Sequence, residues 1–230
     1  MSVFSKLSLI SRARKLELFN QIMSPAKDMK LLDVGAQINP NSHEEYQLID
    51  TYPWKHNFAV VNISEEHISA IKKRYPEIKA VVCDACELPW PDKSFDVVYS
   101  NAVIEHVGSF ERQKTMAAEI MRVGKRWFVT TPNRWFPFEF HMRLPLVTWL
   151  PGKSYLRIGN IISYNHLRGK YMFSGKRSDL RLMSAGELEK CFSSSKIIKQ
   201  RVTFMAETLI AVGGDIADKC TSYDQKGTKS

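Results

Sequence analysis

Residues 88–107 read LPWPDKSFDVVYSNAVIEHV. The middle of this stretch, SFDVVYSN (94–101), is an apolar run of strand length, rich in β-branched and aromatic residues. It ends in Ser100 and Asn101, and Glu105 and His106 follow at once. Residues 109–122 then predict a helix, and KRWFVTTP (125–132) predicts a strand that Pro132 stops. The same alternation runs backwards from residue 88. IKAVVCDA (78–85) reads as a strand. Ser64 predicts a helix cap, with Glu65 and Glu66 in the first turn and Lys72, Lys73 and Arg74 in the last, as the helix dipole favours. Pro76 closes that helix. FAVVNIS (58–64) and MKLLDVG (29–35) read as strands, and residues 4–23 as an amphipathic helix ended by Pro25. Strands and helices alternating at this spacing argue for an α/β fold, a mostly parallel sheet with helices on both faces.

Downstream the rhythm breaks. Residues 133–183 are rich in aromatics, Arg and Pro, and a core strand would not carry Pro137, Pro145 and Pro151. Fifty residues is too long for a plain connection, so this segment is an insertion after the fifth strand, a lid or subdomain. Ser184 with Glu187 is a capping-box signal for a helix to about Phe192. KIIKQRVTFMAETLIAVGGD (196–215) reads as two strands turning near Ala206, a terminal hairpin. The expected organisation is a single domain over 1–213 with a polar, disordered tail over 214–230.

The chain has 230 residues, of which 44% are hydrophobic and 25% charged. That suits one soluble domain with a sizeable core. No apolar run reaches the roughly 18 residues of a membrane span, and no signal peptide stands out, so a cytoplasmic protein is expected. Four cysteines do not read as a disulfide framework. Cys83 and Cys86 form a CxxC, but no second pair accompanies them, and half-buried thiols at a strand end are expected there. The net charge is +9, which permits an anionic partner. The charge gathers between residues 133 and 182, where nine Lys or Arg stand against two acids, Glu139 and Asp179.

In open parallel sheets, ligands sit beyond the carboxyl ends of the strands. Gly35 ends the first strand and lets a ligand approach the backbone. Asn62 ends the second and can hold a ribose diol. Asp84 ends the third and can accept from an adenine amine. Ser100 and Asn101 end the fourth, with His106 just beyond. Glu139 and His141, in FPFEFH after the fifth strand, are the insertion's own candidates for proton transfer. The carboxylates are not clustered as a metal site would need.

LLDVG, VVNIS, CDACELPWPDKSFDVVYSNAVIEHV and AAEIMRVGKRWFVTTPN together resemble class I S-adenosylmethionine-dependent methyltransferases, in particular the group described as type-11 methyltransferases. The resemblance covers about residues 15–132 and 182–213. It implies a Rossmann-like, seven-stranded, mostly parallel sheet ending in an antiparallel hairpin. It also implies S-adenosyl-L-methionine as cofactor. On that resemblance, Gly35 and Ala36 line the methionine part, with Asp33 near its amine. Asn62 faces the ribose, Asp84 and Ala85 contact the adenine, and the backbone around Ser100 and Asn101 sits beside the sulfonium. Two departures stand out: the second glycine of the loop is missing, and the acid usual at the end of strand two is Asn62. His106 is the base candidate of the shared core, and His141 and Glu139 are those of the insertion. The implied activity is methylation, at oxygen, of a small-molecule, saccharide or lipid-linked glycan acceptor, with the insertion forming the acceptor site. A catalytically inactive methyltransferase-like binding module is the alternative. No nucleic-acid motif is present. The Arg and aromatic content of the insertion suits peripheral contact with an anionic membrane.

Overall fold

The computed structural model describes residues 3–38, 47–139, 142–150, 154–165, 170–173, 180–201 and 204–215. A long first helix, α1 (Val3–Met23), leads into β1 (Leu31–Val34). A short α2 (Leu48–Thr51) precedes β2 (Phe58–Asn62), α3 (Glu65–Arg74) and β3 (Lys79–Val82). Then come β4 (Phe95–Asn101), α4 (Phe110–Val123) and β5 (Gly124–Pro132). The insertion holds two small hairpins, β6 (Phe138–Glu139) with β7 (Leu144–Pro145) and β8 (Ile162–Asn165) with β9 (Lys170–Phe173), and between them α5 (Ser154–Ile161). The chain returns through α6 (Ala185–Cys191) to β10 (Ser195–Arg201) and β11 (Ala206–Gly214).

Seven strands make one sheet in the order β10-β11-β5-β4-β1-β2-β3. The five strands from β1 to β5 pair in parallel, and β11 alone runs against them, antiparallel to both β5 and β10. The two halves wind outward from β1 and β4, so the order reverses between those strands. A crevice opens at such a switch point.

Successive strand residues face opposite sides, and the core divides accordingly. Leu31, Val60, Tyr99 and Phe128 face α1, whose Phe19 packs edge-on against the rings of Tyr99 and Phe128, with centroids 5.1 and 5.6 Å away. Leu32, Val34, Val98 and Val129 face α4 and α6, meeting Met116, Ile120 and Leu188. The insertion has a smaller core of its own, Met142, Val147, Tyr155, Leu180 and Leu182.

The caps are those the sequence predicts. Ser64 accepts from the His67 N–H, and Ser184 forms a full capping box with Glu187. One boundary moves: Gly214 still pairs with Arg126, and the Asp215 N–H donates to Lys125. The hairpin therefore runs past 213, and residues 214 and 215 are not tail. Residues 216–230 lie outside the described ones.

Candidate functional site

Four strand ends converge on one cleft of about 420 Å³, within the range of small-ligand sites. Val34 and Gly35 come from β1 and its turn, Asn62 from β2, Asp84 and Ala85 follow β3, and Asn101 closes β4. Val103, His106 and Val107 form the lip beyond β4, and Arg112 reaches in from the first turn of α4.

Gly35 has φ +84°, a left-handed conformation that favours glycine. A Cβ there would lie 2.2 Å from Val103 Cγ2. Val103 therefore fills the space that a side chain at 35 would take, and the turn stays open on its cleft side. Ala102, also on the wall, has φ +57°. Its N–H donates to the Thr130 carbonyl, 3.0 Å away, which holds the backbone in that unfavourable region.

Asn62 is doubly engaged. Its Nδ2 donates to the Ala36 carbonyl at 2.9 Å, and its Oδ1 accepts from the Ser64 N–H at 2.8 Å. It ties the turn after β1 to the start of α3. Asp84 Oδ1 accepts from the Cys86 N–H at 2.9 Å, and Oδ2 pairs with Arg112 at 2.7 Å. The Cys86 N–H, with help from Arg112, holds the Asp84 carboxyl below its ordinary range. Arg112 is itself steadied by its Nε bond to the Val107 carbonyl.

Of the residues read from the sequence, Gly35, Asn62, Asp84, Ala85, Asn101 and His106 share this wall. Four others do not. Asp33 lies on the α1 face by strand alternation, 5% exposed, and burial alone pushes its pKa up to about 8. Ala36 is buried, and only its carbonyl is used, by Asn62. Ser100 is fully buried, its hydroxyl donating to the Val34 carbonyl at 3.0 Å. It faces away because Asn101 faces in. Glu139 is 2% exposed and accepts from the Met142 N–H inside the insertion, a turn-forming bond away from the cleft. His141 lies outside the described residues.

The thiols of the CxxC donate to carbonyls, Cys83 to Glu87 and Cys86 to Arg112. Burial first, then Asp84, raises both pKa values, which disfavours the reactive thiolate. Among the described residues, no group of three or more His, Cys, Asp or Glu is arranged to hold a metal.

Arg112 and Val103 were not read from the sequence, and no local pattern marks them. Arg112 reaches the wall from 28 residues beyond its partner Asp84. Lys15 is a third. It exposes 8%, and its Nζ donates to Asn101 Oδ1 at 2.8 Å. Its signal was available: position 15 is four after Ser11 and four before Phe19, on the inner face of α1.

Residues 41–127 match a family described as "Methyltransferase domain". A probable S-adenosylmethionine-dependent methyltransferase of Mycobacterium tuberculosis is 35% identical over 74 residues, 32% of this chain and 27% of that protein. The aligned part is thus about a quarter of that relative's length. A protein of Pyrococcus horikoshii shares the fold with a TM-score of 0.56 at 19% identity, over 88% of each chain. So does the N-methyltransferase NodS of Bradyrhizobium japonicum in complex with S-adenosyl-L-homocysteine. Its TM-score is 0.53 at 10% identity, over 87% of this chain and 85% of that one.

Proposed function

We propose that this chain is a class I S-adenosylmethionine-dependent methyltransferase and that it transfers the cofactor's methyl group to an oxygen of a small-molecule, saccharide or lipid-linked glycan acceptor. The observation that carries this reading is the convergence of Gly35, Asn62, Asp84 and Asn101 on one cleft. The wall suits the cofactor chemically. Asp84 keeps a charged carboxylate beside Ala85 for the adenine amine. Ile63, Val103 and Val107 offer apolar surface for the ring and ribose. Gly35 brings bare backbone to the methionine part. When bound, S-adenosylmethionine supplies a methyl group on a sulfonium, already an excellent leaving group. The chain's work is to align the acceptor and exclude water. His106, on the outer lip, is the wall's candidate for taking a proton from an acceptor hydroxyl. Glu139 is not, since it is buried on Met142.

The acceptor side of this reading is the edge where β5 passes into the insertion. The insertion is bonded to the domain there: the Asn133 N–H donates to the Glu207 backbone carbonyl, and the Arg181 N–H to the Glu105 backbone carbonyl. Its outer surface carries Trp135, Leu146 and Trp149, each about half exposed (52, 52 and 48%). Trp149 Nε1 donates to the Trp135 carbonyl at 3.1 Å, and the Arg134 guanidinium lies over the Trp135 ring, 5.6 Å from its centroid. Paired indoles beside arginine suit an anionic lipid surface, and with it a lipid-linked acceptor. Among the described residues, no helix is long and apolar enough to cross a membrane.

Thermal unfolding with and without S-adenosylmethionine tests the reading. At about 100 times its dissociation constant, a ligand adds roughly 2.7 kcal/mol, or about 5–10 °C for a chain of this size. No shift at millimolar cofactor would return the chain to the inactive binding-module reading.

A further inference from the structure

Lys15 has no part in the scheme above. Its Nζ and the Thr130 hydroxyl both donate to Asn101 Oδ1, each at 2.8 Å. With its oxygen held twice, the Asn101 amide is fixed in one orientation. Asn101 lines the cleft, so Lys15 stands directly behind that wall. The charged groups around it come from three elements: Arg12 on its own helix, Glu105 beyond β4 and Glu207 on β11. Burial, opposed by Glu105 and Glu207 and aided by Arg12, brings its pKa down to about 8. The ammonium is therefore poised to lose its proton near neutral pH.

We propose that Lys15 is a specificity-determining residue for the cofactor pair: it gives up its proton when a sulfonium lies beside Asn101 and keeps it when the uncharged thioether lies there. The proposal rests on the methyltransferase reading. Two cations close together in a poorly solvated site repel strongly. The sulfonium cannot shed its charge, and the lysine can. A neutral amine still donates to Asn101 Oδ1, so α1 stays anchored through the change. The proton leaves to buffer when the methyl donor binds. It returns once the methyl carbon–sulfur bond has broken and sulfur has kept the electron pair.

The test is calorimetric titration of the full chain with S-adenosylmethionine and S-adenosylhomocysteine, at pH 7.5, in two buffers of different ionisation enthalpy. The ligands share their amino-acid and nucleoside parts, so groups sensing only those parts cancel in the difference. A one-unit fall in the lysine's pKa releases about half a proton per sulfonium bound, and none with the thioether. Between pH 7 and 9 the affinity for the sulfonium should then improve about fivefold relative to the thioether. Lys15→Met should abolish both effects. Lys15→Arg keeps its charge, so it should release no proton and weaken sulfonium binding several-fold. It also carries the test if the methionine variant does not fold. Equal proton release for the two ligands, or a difference that survives in both Lys15 variants, overturns the proposal and leaves the methyltransferase reading standing. If neither ligand binds, the reading and the proposal fall together.

Discussion

At position 62 a single amide joins two loops, and this decides what a change there does. By analogy with the usual acid at the end of strand two, Asn62→Asp looks like an improvement for the ribose. The hydrogen bonds say otherwise. Nδ2 donates to Ala36 while Oδ1 accepts from Ser64. A carboxylate can keep only the second bond and would set an anionic oxygen against the Ala36 carbonyl. Losing such a bond to a group left facing a like dipole costs roughly 1–3 kcal/mol. Asn62→Asp should therefore lower stability by that amount and loosen cofactor binding, checked by denaturant titration and calorimetry. Tighter binding would mean that Asn62 turns to the ribose instead. The sequence showed that position 62 ends a strand at the site. It could not show the side chain's partners, because Ala36 lies 26 residues away across a parallel pair.

At the element level, the strands and helices of the shared core were legible because each carries a local signal. β4 is an apolar run, α3 and α6 have capping serines, and Pro25 and Pro76 close helices. The insertion was legible only as an interruption. Its fold depends on a small separate core whose members, from Met142 to Leu182, come from across the whole segment. The left-handed Leu146, φ +56°, has no glycine to announce it. Its N–H is bonded to Pro137, which leaves its side chain half exposed beside Trp149. A double change of Trp135 and Trp149 to Ser removes surface without opening the core. It should abolish flotation with vesicles containing anionic lipid and leave the cofactor-induced rise in melting temperature unchanged. Equal flotation of wild type and variant would remove the membrane from the proposed function.

For the molecule as a whole, two buried ionisable groups shape stability against pH in opposite senses. Asp33 has its pKa raised from 3.8 to about 8 by burial. The folded state holds a proton that the unfolded state has lost, so stability falls as pH rises through that window. Lys15 has its pKa lowered from 10.5 to about 8. From about pH 8 upward the unfolded state holds the extra proton, so stability rises with pH. The cofactor-free protein should thus show a minimum of melting temperature near pH 8. Asp33→Asn should flatten the acid side of that minimum, and Lys15→Met the alkaline side. A melting temperature that varies smoothly through pH 8, with neither variant altering it, would mean that both groups are better solvated than their burial implies.

The first helix has a further consequence, in the order of events at the ribosome. α1 is the first of these elements to be synthesised, yet its polar face is fastened to the last. Arg14 donates to the Arg201 carbonyl, Gln200 donates to the Ser11 carbonyl, and the Ser11 hydroxyl meets Glu207, across 187–196 residues of chain. Nascent α1 can set Phe19 on Tyr99 and Phe128 once β4 and β5 have emerged, but its polar face must wait for β10 and β11. Contacts so distant along the chain form slowly. The fastening of α1 along Ser11 and Arg14 is therefore the last to form around the helix that carries Lys15, and an unfinished polypeptide lacks it.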